Sequence, residues 1–367
     1  MSDTVIQSKE KPAIRRDTTL AAGLVLLVVA IGSHIPVPGL DLAVISEQID
    51  GQTSGVMARL SIMALGILPL YTVLVHAELV RVLIPPLARW QAASPRNAGR
   101  LDLIIIILAL LLSVLQAWGI LVALEQSQLV RHDSAAFVAV GIASFVASTA
   151  VLIWLAKMVQ LPGLGSSFWL VLVLPYLAGL PEEIALWFEM AGMGGVPASE
   201  FLMIAAYVLL GIAGVVFARS SLLRAAKEHR VETSTASAML IWPVFLASMA
   251  AGYLIIPIAL ISEDPEGLLA RIPYAVPVLT TVLIPLFVYA YARSTFLKRL
   301  DETQKQALSP VLFAVAGVQI AIFVAGHLLW STLMLKFSLA GSMLIVATLV
   351  MLSLMRTDDP RGQSATA

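Results

Sequence analysis

Not one cysteine occurs in the 367 residues, which excludes disulfides, thiol catalysis and thiolate metal sites and leaves the redox compartment unread. Charge is also scarce: 13% of residues are charged, against about a quarter in soluble domains, and 23 basic side chains balance 23 acidic ones. No GxxxxGK[ST] loop is present and no GxGxxG turn follows a strand pattern, so nucleotide hydrolysis is not expected. The five histidines, His34, His76, His132, His229 and His327, lack partners at metal-ligand spacing, apart from His76 near Glu78, so neither a metal centre nor a cofactor is expected. The first apolar run is not followed by a small-residue cleavage site, which argues against a cleavable signal peptide.

What the chain has instead is apolar length. Hydrophobic residues make up 59% of it and its mean hydropathy is +0.92. A helix needs roughly 20 apolar residues to cross the hydrocarbon. Ten such runs can be read, at 18–37, 60–83, 102–124, 135–158, 166–181, 199–220, 238–262, 273–295, 308–327 and 333–355, the fifth being short. The expected fold class is therefore an all-α polytopic membrane protein of ten transmembrane helices, with too little chain left over for a soluble domain. Basic residues mark the orientation. Nineteen of the 23 fall before run one or at alternate loops thereafter, while the opposite loops hold only Arg59, Arg131, Arg271 and Lys336 beside acids such as Asp41, Glu125 and Glu182. By the positive-inside rule both termini face the cytoplasm.

Three short stretches stand out. "HAELVR" places His76, Glu78 and Arg81 near the cytoplasmic end of run two, where an ionisable residue suggests a proton relay, while Glu78 and Arg81, three apart on one helix face, suggest a pair snorkelling to the interface. "LPGLGSSF" (161–168) carries glycines that permit a tight cytoplasmic reversal rather than cradling phosphate. "GSHIPVPGLD" (32–41) ends run one with two prolines and a glycine, more punctuation than stopping a helix requires. No enzyme chemistry is visible. A channel, a transporter and a scaffold remain.

The decapeptide "GSHIPVPGLD" resembles the end of the first helix of the SecY family, the protein-conducting channels of the general secretory pathway. "ARLSIMALGILP" (58–69) is similar to the start of the family's second helix, and "WLAKMVQLPGLGSSFWLVLVLPYLAGLP" (154–181) to the stretch joining helices four and five. "IWPVFLAS" (241–248) and "LAGSMLIVA" (339–347) echo helices seven and ten. The matches fall in family order along nearly the whole chain.

This resemblance implies two inverted five-helix halves, residues 18–181 and 182–356, between cytoplasmic tails at 1–17 and 357–367. Such inverted repeats are common among transport proteins. Pro36, Pro38 and Gly39 would turn the chain back toward the pore as a plug-like loop, 41–59. A constriction that dewets yet yields to a polypeptide maps to Ile67, Tyr71, Phe168, Leu172, Phe245 and Ile345, three of them aromatic where the family favours isoleucine. A lateral gate between helices two and seven would include Ile62, Leu65, Glu78 and Pro243. Implied partners are polypeptides bearing signal sequences or membrane segments, a small SecE-like subunit and the lipid bilayer, with no nucleic acid. The implied location is the inner membrane.

The sequence also departs from the pattern. "GQTSGVMAR" (51–59) shortens the plug region, and Gly165, Ser166 and Ser167 stand where the family has Gly-Asn-Gly. The long basic loops after helices six and eight shrink to 219–237 and 293–309. Their docking candidates, Arg224, Lys227, Arg230, Lys298 and Arg299, are mixed with Glu228, Glu232, Asp301 and Glu302. Attraction for ribosomal RNA is then weak, and ribosome or SecA docking is doubtful. The first expectation is a specialised or motor-independent SecY-like channel. The alternatives are a small-solute or ion transporter using His76, Glu78 and Arg81, and a scaffold that never opens.

Overall fold

The computed structural model describes residues 15–48, 60–130, 134–161, 163–228, 233–261, 265–295, 297 and 301–355. The helices in chain order are α1 (Arg15–Gly32), α2 (Leu42–Gln48), α3 (Leu68–Leu83), α4 (Pro85–Ala92), α5 (Pro95–Gln126), α6 (Ser134–Met158), α7 (Phe168–Gly192), α8 (Ala198–Glu228), α9 (Thr233–Ile261), α10 (Pro265–Thr295), α11 (Glu302–Thr332) and α12 (Ser342–Met355). Between α6 and α7 a two-residue hairpin pairs β1 (Gln160–Leu161) with β2 (Gly165–Ser166). Its reversal uses Gly163 at φ +76° and Gly165 at φ +86°, the role expected of those glycines.

Each of the ten apolar runs holds one helix. Among the described residues seven, α5 to α11, contain a stretch long and apolar enough to cross a membrane, and α3 with α4 would make an eighth but for a 105° bend. Pro85 and Pro86, which cannot continue the helix, account for that bend. Ala22–Gly32 and Ser342–Met355 are shorter apolar helices. At 1.5 Å per residue, α12 reaches about 21 Å, short of a full hydrocarbon core. Local chemistry sets several starts. The Ser94 side chain accepts from the Asn97 amide at 3.2 Å ahead of Pro95, and Asp301 with Gln304 forms a capping box on α11.

Several boundaries differ from the sequence reading. Run two is helical only from Leu68, because Gly66 at φ +57° breaks the path and Pro69 starts the helix afresh. Run five continues as α7 to Gly192, through Pro175 and Pro181, so residue 181, where the expected halves divide, falls inside a helix. Run ten begins at Ser342, since the amides of the preceding turn are held from elsewhere: Leu335 N–H donates to Glu200 Oε2 (3.0 Å), Ser338 N–H to Glu183 Oε1 (3.0 Å) and Gly341 N–H to the Tyr207 hydroxyl (2.8 Å). The short loops after runs six and eight are shorter still, α8 running to Glu228 and α10 to Thr295.

In the packing, α3 lies against α5 and α9, α7 against α6 and α12, α9 against α10 and α12, and α11 against α8 and α10. One continuous buried core joins α3, α7, α9, α11 and α12. A smaller cluster, including Val37, Leu40, Ile45, Leu65, Leu121, Phe137 and Phe145, ties the segment after α1 to α5 and α6.

Candidate functional site

The backbone after α1 is held by pairing. Pro36 bridges Ser61 and Leu40 bridges Val130; Val37 N–H donates to Leu60 O (2.9 Å), and Ile62 N–H to Ile35 O (2.9 Å). Proline at 36 and 38 leaves no amide to satisfy on either side of Val37, whose own N–H is the one that pairs with Leu60. Gly39 has φ +95°, and a Cβ there would meet the Phe137 ring at 2.8 Å, so both conformation and space demand glycine. Asp41 Oδ1 accepts from the Ala43 amide (3.1 Å) and opens α2. Leu40 and, from the described part of the expected plug-like loop, Ile45 thus pack on α5 and α6. Residues 49–59 of that loop lie outside the described residues.

Irregular backbone at membrane depth requires protein partners. Residues 60–67 have them: Ser148 Oγ donates to Ile62 O (2.6 Å) and Thr149 Oγ1 to Gly66 O (3.5 Å), both from α6. Ile62 and Leu65 therefore precede helix two, Ile62 anchored by its backbone to α6 and Leu65 buried in the smaller cluster. Both thus lie just ahead of α3 rather than on it.

The constriction candidates meet where α3, α7, α9 and α12 converge. Tyr71 on α3 packs edge-on against Phe245 on α9, ring centroids 5.4 Å apart. Trp169 on α7 stacks on Phe245 at 5.9 Å and meets Phe168 edge-on at 4.9 Å and Trp242 at 5.1 Å. Ile67, at the N-cap of α3, is buried, as are Phe168, Leu172, Phe245 and Ile345, while Tyr71 is half-buried. Ile345 sits on α12, which packs on both α7 and α9. Offset and edge-to-face pairs of this kind each contribute about 0.5–1.5 kcal/mol beyond area burial, so the five rings help hold α3, α7 and α9 together. Trp169 and Trp242 were not foreseen. Their signal was present, since Trp242 stands one helical turn before Phe245 and Trp169 adjoins Phe168.

A second contact crosses the α3–α9 seam. His76 Nδ1 donates to Thr72 O at 2.6 Å, and Nε2 hydrogen-bonds with the Tyr253 hydroxyl. The two rings are 5.6 Å apart. Glu78 and Arg81, by contrast, pair with each other along α3. The trio of the transporter alternative is thus split, His76 engaging α9 and Glu78 pairing with Arg81 on its own helix, as the interfacial-pair reading expects. Pro243 lies inside α9, between Trp242 and Phe245. Of the docking candidates, Arg224 and Lys227 are exposed on the last turns of α8 rather than on a loop. Arg230, Lys298 and Arg299 lie outside the described residues.

Comparison with known proteins gives concordant matches. The SecY family model matches residues 61–357. The protein translocase subunit SecY of Vibrio cholerae is 30% identical over 205 residues, 52% of this chain and 46% of that protein. That of Escherichia coli K12 is 29% identical over 207 residues, 52% and 47%. The match thus spans about half the length of these curated relatives. Among solved structures, one described as a protein conducting channel aligns over 100% of this chain and 98% of its own, at TM-score 0.57 and 14% identity. Sec61 from the canine ribosome-channel complex aligns over 100% and 97%, at 0.55 and 14%. At such identities these two likenesses establish the fold.

Proposed function

The chain belongs to the SecY family, and from that premise we propose that it is a polypeptide channel, passing or inserting chains through a central pore with an α3–α9 lateral gate. The observation that carries this reading is the aromatic closure. Three helices far apart in sequence bring Tyr71, Trp169 and Phe245 ring to ring. An apolar constriction blocks ions by dewetting and gives way to a chain forcing the side chains apart. No bond is made or broken, so the role is a channel's and not an enzyme's.

In this reading Ile67, Tyr71, Phe168, Leu172, Phe245 and Ile345 line the constriction, with Trp169 and Trp242 behind them, and the His76–Tyr253 contact closes the seam. The ten helices form two inverted halves with both termini cytoplasmic in the inner membrane, clamped by a SecE-like subunit. The cytoplasmic ends of α8 and α10 are too short and too mixed in charge for strong docking of a ribosome or SecA. The channel is then specialised or motor-independent. Pairing of Glu78 with Arg81 favours this over a coupling site on α3, because the carboxylate is already engaged with a cation three residues away.

The test is conductance in planar bilayers. Tyr71→Gly combined with Phe245→Gly removes two rings of the closure and should raise ion conductance about tenfold or more over the parent protein. Unchanged conductance would mean that no pore lies behind the rings.

A further inference from the structure

Gln319, on α11, is completely buried in a part of the bundle where amide side chains are costly. Its Nε2 donates to the carbonyls of Met239 and Leu240 on α9, both at 3.0 Å. These carbonyls are not arbitrary. In an unbroken helix the Met239 carbonyl would accept from the amide of residue 243, but that residue is Pro243, which has none. A proline ring inside a helix also crowds that carbonyl and weakens the ladder around it. Gln319 therefore supplies, from another helix, the donor that Pro243 cannot give to the Met239 carbonyl, and adds one to the adjacent Leu240 carbonyl. Ser248 Oγ adds a back-bond to the Val244 carbonyl at 2.9 Å, a contact that favours bending just past the break.

The two arms of α9 differ in their surroundings. From Ala236 to Ala247 almost every side chain is buried, with Met239, Leu240, Val244 and Leu246 fully enclosed. Beyond Gly252, Tyr253, Leu254 and Ile256 are exposed, and a Cβ at Gly252 itself would meet nothing within 4 Å. The freer arm carries Tyr253, the partner of His76 across the seam.

We propose that Gln319 is a positioning residue of the gate. It pins the first arm of α9 to α11 at the Pro243 break, so that opening is a pivot of the second arm about a fixed point. This rests on the reading of the α3–α9 seam as a gate.

The chain's lack of cysteine allows spin labels at Val80→Cys on α3 and Ile256→Cys on α9, both exposed positions. Electron–electron distance distributions in proteoliposomes then report the seam with no polypeptide present. Gln319→Leu removes both donors at similar volume and should raise the longer-distance population about five- to tenfold, the scale of two interhelical hydrogen bonds in a membrane. In a Pro243→Ala background, where residue 243 again carries an amide, the same substitution should change that population less than about twofold. Gln319→Met, closer to glutamine in shape, replaces Gln319→Leu if the latter does not assemble. Distances unmoved by loss of Gln319, or moved equally in both backgrounds, overturn the pivot. Since no cargo is involved, those outcomes leave the channel reading standing, and a failure to conduct polypeptide would not alter the distances.

Discussion

The Tyr207 hydroxyl accepts from the Gly341 amide at 2.8 Å and donates to the Ile322 carbonyl at 3.2 Å, joining α8 to α11 and to the turn before α12. Gly326 makes the approach possible, since a Cβ there would meet Gly341 N at 2.5 Å. Tyr207→Phe keeps the ring but leaves the Gly341 amide unsatisfied in a buried setting, a loss of about 1–3 kcal/mol. We expect a lower melting temperature in detergent, with ring closure at Tyr71 and Phe245 unaffected; an unchanged melting temperature would show that water replaces the hydroxyl. Residue identity also explains what could be read early. Gly39, Gly163 and Gly165 declared their positive φ through the company they keep, prolines and small polar residues. Gln319 declared nothing, because one glutamine in an apolar run has no meaning until α9 and its proline lie beside it.

At the scale of elements, hydropathy located one helix in each of ten runs, since twenty apolar residues have few alternatives in a bilayer. It misplaced ends wherever a distant side chain takes over the backbone. Ser148 and Thr149 hold 60–67 out of helix two, and Glu183, Glu200 and Tyr207 hold 333–341 out of helix ten. A periodicity argument sees only neighbours. The extension of α7 to Gly192 was missed for the opposite reason: Pro175 and Pro181 look like stops in sequence, yet surrounding helices tolerate them. The same scale governs the C-terminal end of α8. Arg224 and Lys227 project from a helix whose other face buries Leu222, Ala225 and Ala226, and Glu228 follows at once. Reversing both charges to glutamate should change client capture by less than about twofold, the effect of isolated surface charges. A tenfold drop would reinstate a ribosome or motor docking site there.

For the whole molecule, we propose that two helical halves meet around a closure of aromatic rings, with a seam beside it that opens by movement of α9. The candidate site was legible in part: Tyr71, Phe168 and Phe245 were identified from motif resemblance, whereas Trp169, Trp242 and the His76–Tyr253 contact emerged only when helices remote in sequence were brought together. The fold is shared with known channels. What passes through it is the claim to test. Photocrosslinking from a benzoylphenylalanine at position 71 or 245, in native membranes with products identified by mass spectrometry, addresses it directly. The account predicts adducts with signal sequences or membrane segments of other proteins, while lipid and small partner subunits alone, under conditions where an authentic SecY traps nascent chains, would contradict it.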